Sequence, residues 1–541
     1  MIIRSMLLSG VAALPICLFA HEAGDSISGD KGRETELNEI VIVASRQVLK
    51  QTPDRIVYLT KNDPYALGLN GLQVLNRIPR VSVSNDLVSV AGKSSVKYII
   101  DGHLLEMPDE AIALRLKNLQ SDGIEKIELL TTPPAKYAAD TNVAYLSITT
   151  YNEALGTRGN LWGNGTVRED FSYLFGGNIS HSTRKVELSA DVSWQDMKGI
   201  NDLCRRYAFS DYIRTSNRSN NFANRSFGAN GLFKYKFSNN FSAGAIMNFS
   251  TMRLKSNLLD ETTDNGVLSY SHNVSPAKPN NALTLTTFGD WILDSKGKML
   301  SLTYNFFNRH TRSYSDVTTW QEGSDKTRLT DDGNNKYHIH SVKLDAVLPF
   351  PSFRIDAGTA YTGIKNNTDL QVSDIITGNR INNPSQSNTF NYDEKTAAVY
   401  VNAEKNFSNS FFGKLELRYE HTDVKGHQFI DNIRHDKSYG YLFPSLNLSW
   451  NSSKAGRFSL SYSMGITRPN FGDLNPFRYY TTVGDYFSGN PNLDPSVSHN
   501  AEISYSIKGI YAVLYNSYNH NAISNITKNQ SILQGLYCEY L

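Results

Sequence analysis

The residues of this 541-residue chain that are placed to do chemistry point to recognition rather than catalysis. The densest group is Phe477, Tyr479, Tyr480, Tyr486 and Phe487. Such rings stack on a sugar or an aromatic chelate; equally, they pack on one another or ride at a membrane interface. A second group is Glu39, Ile40, Val41, Ile42 and Val43, a β-prone run. It is suited either to be an edge strand of its own domain or to add as a strand to a partner's sheet. Its place directly after a polar leader favours the partner. His338 and His340 share one strand face, a spacing that suits a metal, but no third ligand accompanies them and a solvated lumen pair is the commoner explanation. Asp101-Gly102 reads as a turn. No Ser/His/Asp order, phosphate-cradling glycine loop or paired carboxylate stands out. No catalytic residue, cofactor or metal is therefore expected, and the chain does not read as an enzyme.

The elements that must carry these groups are strands. In Lys414–Glu420, Leu415, Leu417 and Tyr419 alternate with Lys414, Glu416, Arg418 and Glu420. In Arg457–Ile466, Phe458, Leu460, Tyr462, Met464 and Ile466 alternate with Ser459, Ser461, Ser463 and Gly465. The pattern recurs from about Gly156 onward, in segments near the ~10 residues that a tilted strand needs to cross a bilayer. Short polar turns, such as Ser238–Asn240 and Ser408–Ser410, alternate with long polar segments, such as Lys198–Ser226, Ser256–Pro279 and Asp369–Glu394. An outer-membrane barrel sorts its connections this way, with short periplasmic turns and long external loops. The turns imply about sixteen strands, the first near 157–167 and the last near 531–541. On this pattern Leu417 and Leu460 face lipid and Glu416 a wet lumen, so Leu417→Arg is expected to be costly and Glu416→Arg mild.

Ahead of the strands, residues 1–20 read as a secretory signal, with Arg4 before a mostly apolar Met6–Phe19. Residues 21–38 form a polar leader. Residues 39–150 mix short strands with two short helices, near Asn70–Ile78 and Ala111–Leu119, which predicts a small α/β domain before a barrel over 156–541. The net charge of +2 implies no nucleic-acid partner. Cys204 and Cys538 are too few and too distant for a disulfide framework.

Several runs together resemble the TonB-dependent outer-membrane receptors, in the branch that joins a plug to an outer membrane protein beta-barrel domain. Glu36–Val43 resembles the family's TonB box, Gly71–Pro79 its first plug helix, and Tyr98–Gly102, Ile124–Leu130 and Pro134–Tyr137 its plug strands. Arg468–Asn470 through Leu474–Phe477, and Gly489–Pro495, are similar to recurrent barrel loops. Arg80 stands where the family usually has Gly. The resemblance implies a plug inside a barrel of about 22 strands, a TonB-type energy transducer binding Glu39–Val43, outer-membrane lipid around the wall, a surface lipoprotein as an accessory, and a scarce ligand such as a siderophore, cobalamin, glycan or peptide. With about sixteen strands the barrel is expected not to close, leaving edges near Gly159 and Leu536, as in a C-terminally truncated transporter. A passive porin, a surface adhesin and a truncated, non-functional transporter are the alternatives.

Overall fold

The computed structural model describes residues 48–540, except 52–54, 85–86, 94, 106–111, 114–115, 118, 120, 131–133, 135, 138, 140–142, 151–155, 209–212, 265, 431, 476–478, 483–484, 508–509 and 530–535. The predicted signal, the leader and Glu39–Val43 lie outside the described residues.

Residues 49–150 build a six-stranded sheet in the order Leu49–Gln51, Arg55–Tyr58, Ile124–Leu130, Val143–Thr150, Ser95–Ile100, His103–Leu105. Only the Ser95–Ile100/Val143–Thr150 pair is parallel. A helix, Gly71–Leu75, lies on this sheet, and Asn70 caps it through a reciprocal hydrogen-bond pair with Gln73. Leu72, Leu75 and Ile78, the face read from sequence, are buried with Ile112, Leu116, Ile124, Ile127, Leu146 and Ile148 in one apolar core. Gly71 is required there: a Cβ would meet the Leu116 carbonyl oxygen at 2.7 Å, and its amide donates to Leu119 O at 2.7 Å. Asp101 and Gly102 have φ of 50° and 87°, as a two-residue hairpin turn demands. Asp101 also accepts from the Thr150 amide and hydroxyl, both at 2.8 Å.

From Gly156 onward the chain is a sixteen-stranded antiparallel sheet. Fifteen strands form its path, from Gly156–Val167 to Ile510–His520, and the short Asn379–Asn382 pairs beside Arg354–Ile376. The expected count of about sixteen holds, but its last member does not. Leu536–Tyr540 pairs with Asn525–Asn529 and, in parallel, with Asp485–Ser488, in a separate four-stranded sheet. Among the described residues the two terminal strands of the path have no partner on their outer sides, so the sheet is open. One edge lies at Gly159, as expected; the other is Ile510–His520, not the segment near Leu536.

Several strands greatly exceed a bilayer's need: Val267–Ile292 spans 26 residues and Ile213–Lys236 spans 24. Most of the polar segments expected as loops are in fact paired backbone. Side-chain alternation fades where both faces meet water, yet the hydrogen-bond ladder continues, reinforced by cross-strand ion pairs such as Arg214–Asp264 at 2.8 Å and Arg218–Asp260 at 2.6 Å. The ladder between Val267–Ile292 and Met299–Gln321 breaks from Val274 to Asn281, a stretch holding Pro276 and Pro279, which have no amide hydrogen to donate. Aromatic rings cluster at the short-turn end, with Phe241 stacked on Trp291 at 4.6 Å and Phe350 on Phe353 at 4.7 Å, where a membrane interface favours them.

Candidate functional site

The chemistry of this molecule lies along the seam where residues 49–150 meet the inner face of the wall. The strand Phe411–Gln428 shows how the sequence builds that face. Leu415, Leu417 and Tyr419 are exposed on the outside, as alternation requires. Lys414, Glu416, Arg418, Glu420 and Thr422 point inward, but they are buried rather than wet. Buried charges demand partners. Lys414 Nζ meets Glu416 Oε1 at 3.0 Å, and Arg418 Nε meets Glu420 Oε1 at 2.5 Å. Arg468 pairs with Glu420 Oε2 and lies 3.9 Å from Glu394. The expectation that Glu416 sits in open water is thus corrected: it is 1% exposed and paired with Lys414.

Ala139 of the plug joins this row. Its amide donates to Glu420 Oε1 at 3.2 Å, and its carbonyl accepts from the Ile466 amide at 2.8 Å. Ile466 can reach the plug because its strand parts from the Ile433–Ser452 strand after Ser463. Its side chain is fully buried with Ala139 and Phe443, and Met464 packs against the same cluster, so the alternation that placed both with the lipid-facing Leu460 fails toward the end of this strand. Close by, Tyr137 stacks on Tyr145 at 4.8 Å, with the Lys136 and Lys343 ammoniums 4.9 and 5.0 Å from its ring centre. Lys343 is also 2.9 Å from Asp345, which accepts from the Tyr400 hydroxyl.

A second contact crosses the seam at Arg80, whose Nη1 lies 3.4 Å from Glu502 and whose Nη2 donates to Ala91 O at 3.3 Å. Arg80 has φ 73°, the left-handed region that a glycine occupies freely. Lys93 lies in the same field. Burial, with help from Arg80 and against Glu502, pushes its ammonium down to about 8. Inside the plug, the Asp63 carboxylate accepts from the Tyr58 hydroxyl at 2.6 Å, Arg77 Nε at 2.7 Å and the Tyr65 amide at 2.9 Å. Burial alone would raise Asp63, but these three donors together hold it below the ordinary carboxylate range.

The residues singled out from sequence are distributed as follows. Phe477 lies outside the described residues. Tyr479 pairs with Phe487 and Tyr480 with Tyr486 across a hairpin, so four of the five positions come together on one small sheet. His338 and His340 share the outward face with Val342 and Leu344, not the lumen. His340 Nδ1 is 2.8 Å from the Tyr304 hydroxyl and its ring lies 5.1 Å from Phe306. No group of three or more metal-ligating side chains occurs among the described residues. Sequence reasoning missed Ala139, Arg468 and Ile466. The only available signal was the unusual density of alternating charge at 414–420.

Comparison with known proteins agrees with this architecture. Residues 291–537 match the model of the Outer membrane protein beta-barrel family. No curated protein matches the chain. Among solved structures, a mutant of the ferric enterobactin receptor PfeA from Pseudomonas aeruginosa, in complex with enterobactin, is similar at 14% identity and a TM-score of 0.54, covering 91% of this chain and 76% of that one. The alcaligin outer membrane receptor FauA from Bordetella pertussis is 12% identical with a TM-score of 0.51, over 91% and 75%. The copper transporter OprC is 10% identical with a TM-score of 0.58, again over 91% and 75%. A plug seated on the inner face of an antiparallel membrane sheet is common to the geometry and to these likenesses. Residues 291–537 therefore resemble the Outer membrane protein beta-barrel family, and the chain has the fold of these outer-membrane receptors, a plug domain followed by an antiparallel membrane sheet.

Proposed function

We propose that this protein is an energy-coupled receptor that takes up a scarce ligand across the outer membrane. The observation that carries this reading is the attachment of the plug. It is bound to the wall by discrete polar contacts, Ala139 to Glu420 and Ile466, and Arg80 to Glu502. Such contacts can be exchanged one for another, whereas a continuous apolar core resists any shift. In this reading the external loops catch the ligand, with Phe477, Tyr479, Tyr480, Tyr486 and Phe487 offering rings to it. A TonB-type transducer adds a strand to Glu39–Val43 and draws on the plug, and a surface lipoprotein assists capture. The pull supplies the energy, so no nucleotide or cofactor is needed. The similar solved structures are named for siderophores and copper. A passive porin or adhesin has no use for a plug held in this way.

The test is Val41→Pro, which removes an amide from the added strand. Cells bearing it should bind ligand at the surface and fail to take it up. Undiminished uptake rejects energy coupling.

A further inference from the structure

We propose that a cavity of about 400 Å³ at the external end of the lumen binds a neutral, polyhydroxylated ligand, an oligosaccharide, as the substrate class of the receptor proposed above. The cavity lies beyond the midpoints of the strands, on the side away from the short turns. Thr311, Ser313, Asn335 and Thr368 stand on three neighbouring strands, Asn388 begins a fourth, and the inward-folded segment around Asn475 closes it. A ligand arriving from outside meets this site before it meets the plug. Its volume lies within the usual range of small-molecule sites.

The chemistry of the wall selects the ligand. Among the described residues, none lining the cavity is Lys, Arg or His, which disfavours an anionic chelate. The carboxylates are already engaged: Asp473 accepts from the Asn470 amide at 2.9 Å, and Asp369 from Thr389 and Gln371 at 2.7 and 2.9 Å. Most of the remaining polar lining is amide and hydroxyl, which an apolar ligand would strand without partners. The wall is also unfinished. Asn388 is 2% exposed; its Nδ2 donates to Asn475 Oδ1 at 3.3 Å while its Oδ1 has no partner. On the adjoining strand, two residues below Thr368, Asn366 is 1% exposed and its Nδ2 has no partner. The orphan acceptor of Asn388 calls for a donor, which a sugar hydroxyl supplies; Asn366, paired opposite Tyr392, lies four residues further along the ladder and outside the cavity lining. Beside the cavity, Phe471 and Tyr337 form an aromatic pair 6.5 Å apart, the kind of surface on which a sugar ring rests. Gly489 keeps the lid tight, because a Cβ there would collide with the Asp473 carbonyl oxygen and lie 2.6 Å from that of Asn475.

The experiment uses the full chain purified in a sugar-free detergent. The probes are a panel of neutral gluco-, xylo-, manno- and galacto-oligosaccharides, with ferric enterobactin as the anionic comparison, and binding is followed by calorimetry. At least one oligosaccharide should bind. Ser313→Trp, which fills the cavity, and Asn335→Leu, which removes an amide, should each weaken that binding at least tenfold while the β-sheet circular dichroism is unchanged. Binding of ferric enterobactin alone, binding of no panel sugar, or sugar binding indifferent to both variants overturns the proposal. The two readings fail separately. Val41-dependent uptake of ferric enterobactin without sugar binding sinks the cavity and leaves the coupled receptor, whereas sugar binding with Val41-independent uptake sinks the coupling and leaves the cavity.

Discussion

The Ala139 carbonyl of the plug accepts a hydrogen bond from the Ile466 amide of the wall at 2.8 Å, while its own amide donates to Glu420 at 3.2 Å. One small plug residue is thus held from both sides, by a strand that has parted from its neighbour and by a carboxylate that also serves Arg418 and Arg468.

Glu420 is the keystone of that arrangement, so Glu420→Ala should strand two guanidinium groups and cost about 3–5 kcal/mol. Glu420→Gln keeps an acceptor for the Ala139 amide and should cost less. Unfolding of the purified protein, followed by its electrophoretic mobility with and without heating, measures both. A loss under about 1 kcal/mol for the alanine variant would show that the row is not holding the plug.

Arg80 sets backbone strain against an ion pair. Arg80→Gly relieves a left-handed φ, a gain of about 1 kcal/mol, and loses a partly exposed pair worth about 0–1 kcal/mol. Arg80→Ala loses the pair and keeps the strain. Glycine should therefore be the more stable of the two variants, by about 1 kcal/mol. A melting temperature for Arg80→Ala equal to or above that of Arg80→Gly contradicts this.

Opposite faces of one strand should fail for different reasons. Leu417→Arg places a charge against lipid and should cost about 2–4 kcal/mol near the midplane. Glu416→Arg, mild on the sequence expectation, instead adds a third cation to a buried row beside Lys414 and Arg418 and should cost at least as much, about 3–5 kcal/mol. Transfer to a membrane of different thickness should alter the first cost and leave the second. Equal sensitivity of both to the membrane refutes the assignment.

Two plug groups give stability a dependence on pH. Lys93 is lowered to about 8 when folded and titrates near its ordinary value when unfolded, so between those values the unfolded chain binds the extra proton. Stability should rise as pH increases from about 8 toward 10, and Lys93→Met should flatten that rise. Asp63 is lowered when folded, so its contribution is full above the ordinary carboxylate pKa and is lost as pH falls through its folded value. Asp63→Asn should remove that acid limb. A denaturation series across both windows checks the two signs.

How much of this was legible in the sequence varies along the chain. At Leu415, Leu417 and Tyr419 alternation gave the facing correctly, because lipid and interior differ sharply there. It misplaced Ile466, where the strand leaves the regular sheet and the plug takes its amide. It placed His338 and His340 on the wrong side, since two polar residues on one face say nothing about which face is wet. It took polar hairpin extensions for loops, because pairing continues after the apolar signal ends. The burial of Glu416 was hidden for a further reason: whether an inward charge meets water depends on what fills the lumen, and the plug residue that meets this row, Ala139 at Glu420, lies some 280 residues away.

The long hairpins have a consequence for anything that meets this protein from outside the cell. A strand of 26 residues is about 85 Å long and, at a barrel's tilt, rises about 65 Å, of which the apolar band takes about 25 Å. The remainder stands clear of the membrane as a palisade of paired backbone. A protease needs an unpaired stretch of chain to enter its cleft, so surface digestion should cut at tips such as 322–326 and spare the shafts. An antibody raised against intact cells would recognise rows of side chains on a rigid ribbon, and a short linear peptide would not reproduce its target.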